Sequence, residues 1–454
     1  MVDAFRAGER SPSEELEATL AAIDASALNA WGHLAVDTAR AAAANAETSL
    51  PFGGVPIGVK ELDSVMGWPD THASVPLADQ VATHTKTMVH RLQAAGTVLV
   101  GQTTASEFGG VNVTRTVLHG ATRNPWDVTK TPGGSSGGSA SAVAGGHVTL
   151  ATAGDGGGSI RIPAGFAGLV GLKATYGRIP KGPRVEYGNM TTTIGCVSRS
   201  VRDTARWFDV TAGHDARDPM SLPRYDGSWE RGLGRHLDAL RGRRVAVVAD
   251  WGGAVCSPAM WEQLELEAAA LVADAGLRRI ERVDTSLPNM GAAWSISGMI
   301  AIHAQLADHW PDCADQLTPE IRFGLESTAG RYSMEARIRI ERRRMELNER
   351  MSAIFDEVDL VITASNPDVA FAAEGPLPDT FGGVRAGAGN NGKLTFPANL
   401  HGNPAISFPA GTLDGLPISL QVVGRHFDEE LLLDLAWLAE RQRPWPLVAP
   451  GSPV

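Results

Sequence analysis

Cysteine is scarce in this chain, with three in 454 residues: Cys196, Cys256 and Cys313. They are widely spaced, odd in number and form no C-x-x-C pair, which excludes a disulfide framework and a cysteine zinc cage. Such usage fits a reducing, cytoplasmic compartment. No stretch approaches the ~18 consecutive apolar residues of a membrane span. Met1 to Glu17 has several carboxylates and no apolar run, so no signal peptide is expected and no membrane partner. Basic charge is also short: 40 Lys and Arg face 51 Asp and Glu, a net −11. A nucleic-acid partner needs a basic face, so none is expected. The twelve histidines include no H-E-x-x-H and no paired ligand spacing, so no metal is expected.

Glycine is abundant. There are 51, about one in nine against about 7% in average usage. They follow no Gly-X-Y repeat, and with 43% apolar residues the chain is not disordered by composition. Thirteen of them fall in the 39 residues from Gly133 to Gly171. Length alone suggests about three domains at roughly 150 residues each, yet no repeat, low-complexity linker or Pro/Gly cluster marks a boundary.

Ser11-Pro12-Ser13-Glu14 combines a capping box with proline at the first helical position, and predicts a helix through Leu16, Leu20 and Ile23. Further helices are expected at Val36–Ala46, Thr87–Ala95, Ser139–Gly146, Val201–Val210, Glu262–Ala275, Met334–Phe355 and Asp428–Glu440. Strands are expected at Gly54–Lys60, Thr97–Gly101, Val148–Ala153, Arg243–Asp250, Val358–Thr363, Ala405–Phe408 and Ile418–Val423. Residues 103–135 read as loop. The alternation of strands and helices indicates an α/β protein with a buried mixed or parallel sheet. Arg337, Arg339, Arg342, Arg343 and Arg344 interleave with Glu335, Glu341, Glu346 and Glu349, the pattern of a solvated, ion-paired helix.

Several motifs invite chemistry. Gly133-Gly134-Ser135-Ser136-Gly137 spells G-x-S-x-G, but a nucleophile elbow follows a strand, and Asp127 to Pro132 is polar and ends in proline. Gly387 to Gly392 spells G-x-G-x-x-G without a strand before it, and Leu394 spoils a P-loop, so a turn is the better reading. Gly154-Asp155-Gly156-Gly157-Gly158-Ser159-Ile160-Arg161 leaves successive backbone N–H groups unshielded, able to meet one oxyanion or a phosphate. Lys60 closes an apolar strand. Such a lysine can snorkel to the surface, or, if buried, lose its charge and serve as a base. A serine nucleophile needs a base within reach.

Taken together, Lys60, the Gly-Gly-Ser-Ser-Gly-Gly-Ser stretch at 133–139 and Gly-Gly-Ser at 157–159 resemble the amidase signature family. The likeness continues through Glu107-Phe108-Gly109, Thr122–Asp127, Ser159–Ala164, Gly171-Leu172-Lys173, Pro397–Pro409 and Gly415–Arg425, most of the chain. It implies one large α/β domain over residues 1–454, with a central mixed sheet flanked by helices. Within it, 11–50 would form N-terminal helices, 54–210 the catalytic core and 280–395 a variable region near the substrate mouth, including Trp294 to Trp310 and Pro376 to Asn391. It also implies a serine hydrolase without histidine. Ser159 would be the nucleophile, Ser135, in a cis peptide bond, the proton relay, and Lys60 the neutral base. Gly156, Gly157 and Gly158, with the N–H of Ser159, would form the oxyanion hole, and Ser136, Asp155 and Arg161 would support it. The substrate would be a small amide or carbamate, cofactors none, and the expected assembly a homodimer. Four positions depart from the common pattern: Glu61 for aspartate, Ala174 for proline, Gly156 for threonine, and Ile162 where tRNA-dependent amidotransferases carry glutamine. The last two resemble free-standing bacterial amidases instead.

Overall fold

The computed structural model describes residues 1–186, 188 and 190–452, and of residues 291–296 the backbone alone. Its spine is an 11-stranded sheet. In chain order the strands are β1 (Trp31–Leu34), β2 (Pro56–Lys60), β3 (Val98–Thr103), β4 (Leu150–Asp155), β5 (Val170–Lys173), β6 (Thr193–Ser198), β7 (Arg244–Val247), β8 (Arg278–Arg279), β9 (Leu360–Ala364), β10 (Ala405–Leu413) and β11 (Leu416–Val423). Their spatial order is β1-β3-β2-β4-β6-β5-β10-β11-β9-β7-β8.

The sheet is mixed. Strand β2 runs parallel to β3 and β4, and β9 parallel to β7, while β4–β6, β6–β5, β5–β10, β10–β11 and β11–β9 are antiparallel. Strands β2, β3, β5, β6, β9 and β11 are buried at every residue. Both faces are covered by helices, so burial in these strands is continuous rather than alternating.

Most expected elements form within a few residues of their predicted ends. The capping box closes as the sequence suggests: Glu14 N–H donates to Ser11 Oγ at 3.2 Å and Ser11 N–H to Glu14 Oε2 at 2.7 Å. The basic helix, Met334–Glu357, carries Arg337–Glu341 at 2.8 Å and an Arg343–Glu346 pair. Gly387-x-Gly-x-x-Gly392 is a turn, with Ala388–Gly392 in a 3₁₀ helix. Several elements were not expected from the sequence, among them strands β1, β5 and β8, the helices Arg161–Ala167 and Pro319–Thr328, and strand β6 at the centre of the sheet. The Thr-Ile-Gly-Cys-Val-Ser run of β6 has too few large apolar residues to stand out. Among the described residues no helix is long and apolar enough to cross a membrane.

Candidate active site

Strands β2 and β4 are parallel neighbours, and each ends in an ionisable residue, Lys60 and Asp155. Groups at the carboxyl ends of adjacent parallel strands converge on one crevice, the usual ligand position in such sheets. Two glycine-rich loops reach the same place. One carries Ser135 and Ser136 into the helix Gly137–Ala144, and the other carries Ser159 into the helix Arg161–Ala167. They abut: Ser136 Oγ lies 3.4 Å from both the carbonyl and the amide nitrogen of Gly154.

Lys60 Nζ donates to Ser135 Oγ and to Ser136 Oγ, each at 2.8 Å. Its main-chain N–H donates to Thr152 Oγ1 at 2.8 Å, and Thr152 Oγ1 in turn to Asp63 Oδ2 at 2.7 Å. The Gly134–Ser135 peptide is cis, as the family resemblance implies. Lys60 is 2% exposed. Burial and the nearby Lys86 outweigh the pull of Asp63 and Asp155, and the amine falls from its ordinary 10.5 to about 7. Lys173 is lowered to about 7 as well, by burial and by Arg161. It donates to the carbonyl of Ala174 and to no serine. Geometry, not basicity, singles out Lys60.

Asp155 and Arg161 form a pair buried to 0% exposure on both sides, Nη2 to Oδ1 at 2.9 Å and Nε to Oδ2 at 3.0 Å. The carboxylate also accepts from the N–H groups of Gly158 at 2.7 Å and Ile160 at 3.2 Å, and from Asn399 Nδ2 at 2.8 Å. Burial alone would raise the Asp155 carboxyl. The Arg161 charge and these hydrogen bonds reverse that and bring it to about 2. Arg161 spends its remaining donors on the Thr395 carbonyl, Gln421 Oε1 and Asn399 Oδ1, at 2.6–2.8 Å. The two residues are thus a strut that fixes the Ser159 loop.

This geometry corrects one expectation. Gly158 cannot offer its N–H to a ligand, because Asp155 already accepts it. The amides of Gly156, Gly157 and Ser159 have no acceptor among the described residues. Gly158 has a different reason to be glycine. Its φ is +136°, and a methyl group there would lie 2.3 Å from Thr395 Oγ1 and 2.7 Å from Ile162 Cδ1. Thr395 Oγ1 donates to the Gly157 carbonyl at 2.6 Å and holds the loop from the far side. Thr152, Thr395, Asn399 and Gln421 carry no signal in the sequence. Their contacts with Lys60, Gly157, Asp155 and Arg161 span 92 to 260 residues of chain, so no local spacing marks them.

Glu61 turns away from this cluster, accepting from Thr71 Oγ1 at 2.6 Å and lying 2.7 Å from His119 Nε2. The helices Gly291–Gln305 and Pro319–Thr328 approach the loop at Phe108 to Gly110, where a methyl on Gly110 would lie 2.6 Å from Ile321 Cδ1. The side chain of Trp294, expected near the substrate mouth, lies outside the described residues. A cavity of about 320 Å³ between Trp126, Phe408 and Trp445 touches none of the candidate residues, and no group of three metal-ligating side chains occurs among the described residues.

The Amidase family model matches residues 14–433. The chain belongs to the amidase signature family. Among its relatives, a glutamyl-tRNA(Gln) amidotransferase subunit from Chloroflexus aggregans is 33% identical, over 97% of this chain and 95% of that protein. A bacterial aryl acylamidase of the family superposes with a TM-score of 0.90 at 25% identity, covering 98% of this chain and 95% of that one. The 6-aminohexanoate cyclic dimer hydrolase, in complex with substrate, superposes with a TM-score of 0.86 at 28% identity, covering 98% and 96%. This amidase-family enzyme therefore shares both its length and its sheet with proteins that act on amide C–N bonds or form part of an amidotransferase.

Proposed function

We propose that this enzyme is a serine hydrolase that cleaves a small amide through an acyl-enzyme. Ser159 Oγ attacks the carbonyl carbon, and its proton passes through Ser135 Oγ to neutral Lys60. The C–N bond then breaks as the relay returns a proton to the departing amine. Water cleaves the resulting ester by the same path in reverse, releasing the acid. The N–H groups of Gly156, Gly157 and Ser159 hold the oxyanion, where each such donor typically contributes ~10²–10³ in rate. The observation that carries this reading is the buried contact of Lys60 Nζ with Ser135 Oγ at 2.8 Å, with the amine lowered to about 7. Carbamates and esters present the same carbonyl to the same groups, so the reading extends to them.

The relatives named as amidotransferase components favour a second reading, that this chain is an amidotransferase subunit. Ile162 bears on the choice. It is buried in an apolar cluster with Phe166, Ala370 and Leu416, which suits a self-contained hydrolase. The purified chain, assayed alone on a panel of anilides, carboxamides and carbamates, is expected to release amine or ammonia. Turnover that appears only with added partner proteins would remove the hydrolase reading.

The base must be neutral to accept a proton. kcat/KM is therefore expected to rise with pH through about 7 and to level off above it, with no loss of rate towards pH 9 from this group. A profile that falls as pH rises through 7 would refute Lys60 as the base.

A further inference from the structure

Ser135 is held from a second side by the segment 106–110. Ser106 N–H donates to the Ser135 carbonyl at 3.1 Å, and a methyl on Gly109 would lie 3.4 Å from Ser135 Oγ. Between these two contacts stands Glu107, 1% exposed. Its carboxylate accepts from Ser74 Oγ at 2.7 Å, and from the N–H and Oγ1 of Thr318 at 2.8 and 2.6 Å. Thr318 is the cap residue of the helix Pro319–Thr328. A threonine there ordinarily accepts from the first turn. This one makes no such bond and gives its hydroxyl to Glu107 instead. The helix is thus tied at its N-terminus to a carboxylate 211 residues away along the chain.

The segment 71–74 ties Glu107 in turn to the strand end that carries Lys60. Thr71 Oγ1 donates to Glu61, the neighbour of Lys60, and Ser74 Oγ donates to Glu107. Between them the His72 carbonyl accepts from Phe108 N–H at 2.9 Å. His72, Ala73 and Phe108 have φ of 49°, 59° and 54°, a conformation that residues other than glycine hold only where their surroundings fix it. Glu107 touches neither Lys60 nor a serine of the reactive cluster. Resting on the reading of Ser135 as proton relay, we infer that Glu107 is a positioning residue. By fastening the 106–110 loop to the segment 71–74 and to the helix Pro319–Thr328, it keeps Ser135 within reach of Lys60. That contact is 2.8 Å, and a displacement of ~1 Å caused by a change remote from the chemistry can cost ~10²-fold in rate.

A fluorophosphonate, which phosphonylates an activated serine with loss of fluoride, separates positioning from stability. A merely structural role lowers the fraction of protein that labels, whereas a positioning role lowers the rate constant at full labelling. Glu107→Leu removes every acceptor, and its labelling rate constant and kcat on an anilide are expected to fall ~30-fold, with KM within ~3-fold of wild type. Glu107→Gln should recover to within ~3-fold of wild type, because Ser74 Oγ accepts as readily as it donates and the amide oxygen still meets Thr318. Ser74→Ala/Thr318→Val leaves Glu107 in place without two of its three donors, and decides the case if Glu107→Leu does not fold; a ~10-fold loss of rate constant is expected. A rate constant unmoved in these variants, a loss seen only as unlabelled protein, or a Glu107→Gln no faster than Glu107→Leu overturns the inference. Ser135→Ala tells the two failures apart. If it labels slowly while the Glu107 variants label at the wild-type rate, only the positioning role falls. If it labels as fast as wild type, the relay reading falls as well.

Discussion

Replacing Ser159 with alanine is expected to lower turnover of an amide substrate by about 10⁴–10⁶-fold, as in other enzymes whose nucleophile and base act as a unit. Lys60→Met, which keeps the length and loses the base, should fall within the same range. The reason is structural. Lys60 Nζ donates to Ser135 Oγ, the proposed relay hydroxyl, and to Ser136 Oγ, and neither Ser159 nor Ser135 has a histidine among its hydrogen-bond partners in the described residues to take over. Because the groups serve one proton path, the double variant Lys60→Met/Ser159→Ala should be no slower than the slower single one. The measurement is kcat on a chromogenic anilide, with circular dichroism to establish that each variant is folded. Retention of a tenth of wild-type activity by either single variant, or clear additivity in the double, would defeat the proposed path.

Asp155→Ala should be the most destabilising single change near the site, by about 3–5 kcal/mol, because it leaves a buried guanidinium uncompensated. Arg161 has 0% of its side chain exposed. The change also strips an acceptor from the N–H groups of Gly158 and Ile160 and from Asn399 Nδ2. Those amides flank Ser159, so activity should fall even where the fold persists. The sign with pH follows from the lowered carboxyl. Its folded value is about 2 against an ordinary 3.8, so its contribution is complete above pH 4 and fades as pH falls through 2. At neutral pH the pair is insensitive to acid. Urea unfolding at pH 7 checks the magnitude, and a loss under 1 kcal/mol would show that Arg161 finds another partner. In Asp155→Leu/Arg161→Met both charges are gone, so much of the stability should return while activity stays low.

The mixed α/β class is legible in the alternation of periodic segments. The helix beginning at Pro12 can be placed because its cap lies within four residues of chain, Ser11 to Glu14. The central strand β6 cannot, since pairing with β4 and β5 rather than its own composition makes it a strand. The antiparallel return of β10 and β11 against β5 and β9 is likewise outside the reach of periodicity, which reports a face and not a neighbour.

The same division holds at the site. The reactive inventory can be read from the chain unaided: a lysine closing an apolar strand, two serines on glycine-rich loops, a row of amides in a glycine run, and the resemblance that joins them. Those are local facts, carried by residue type and short spacing. Long-range packing decides which of these groups meet one another and which are held by other partners. It brings Lys60, rather than the equally buried Lys173, to a serine, and it commits the Gly158 N–H to Asp155. It also supplies Thr152, Thr395, Asn399 and Gln421 from distant segments. The physical reason is that basicity and hydrogen-bond availability are properties of surroundings. A lysine becomes a base when the fold removes its water, and an amide becomes an oxyanion donor when the fold leaves it without another acceptor.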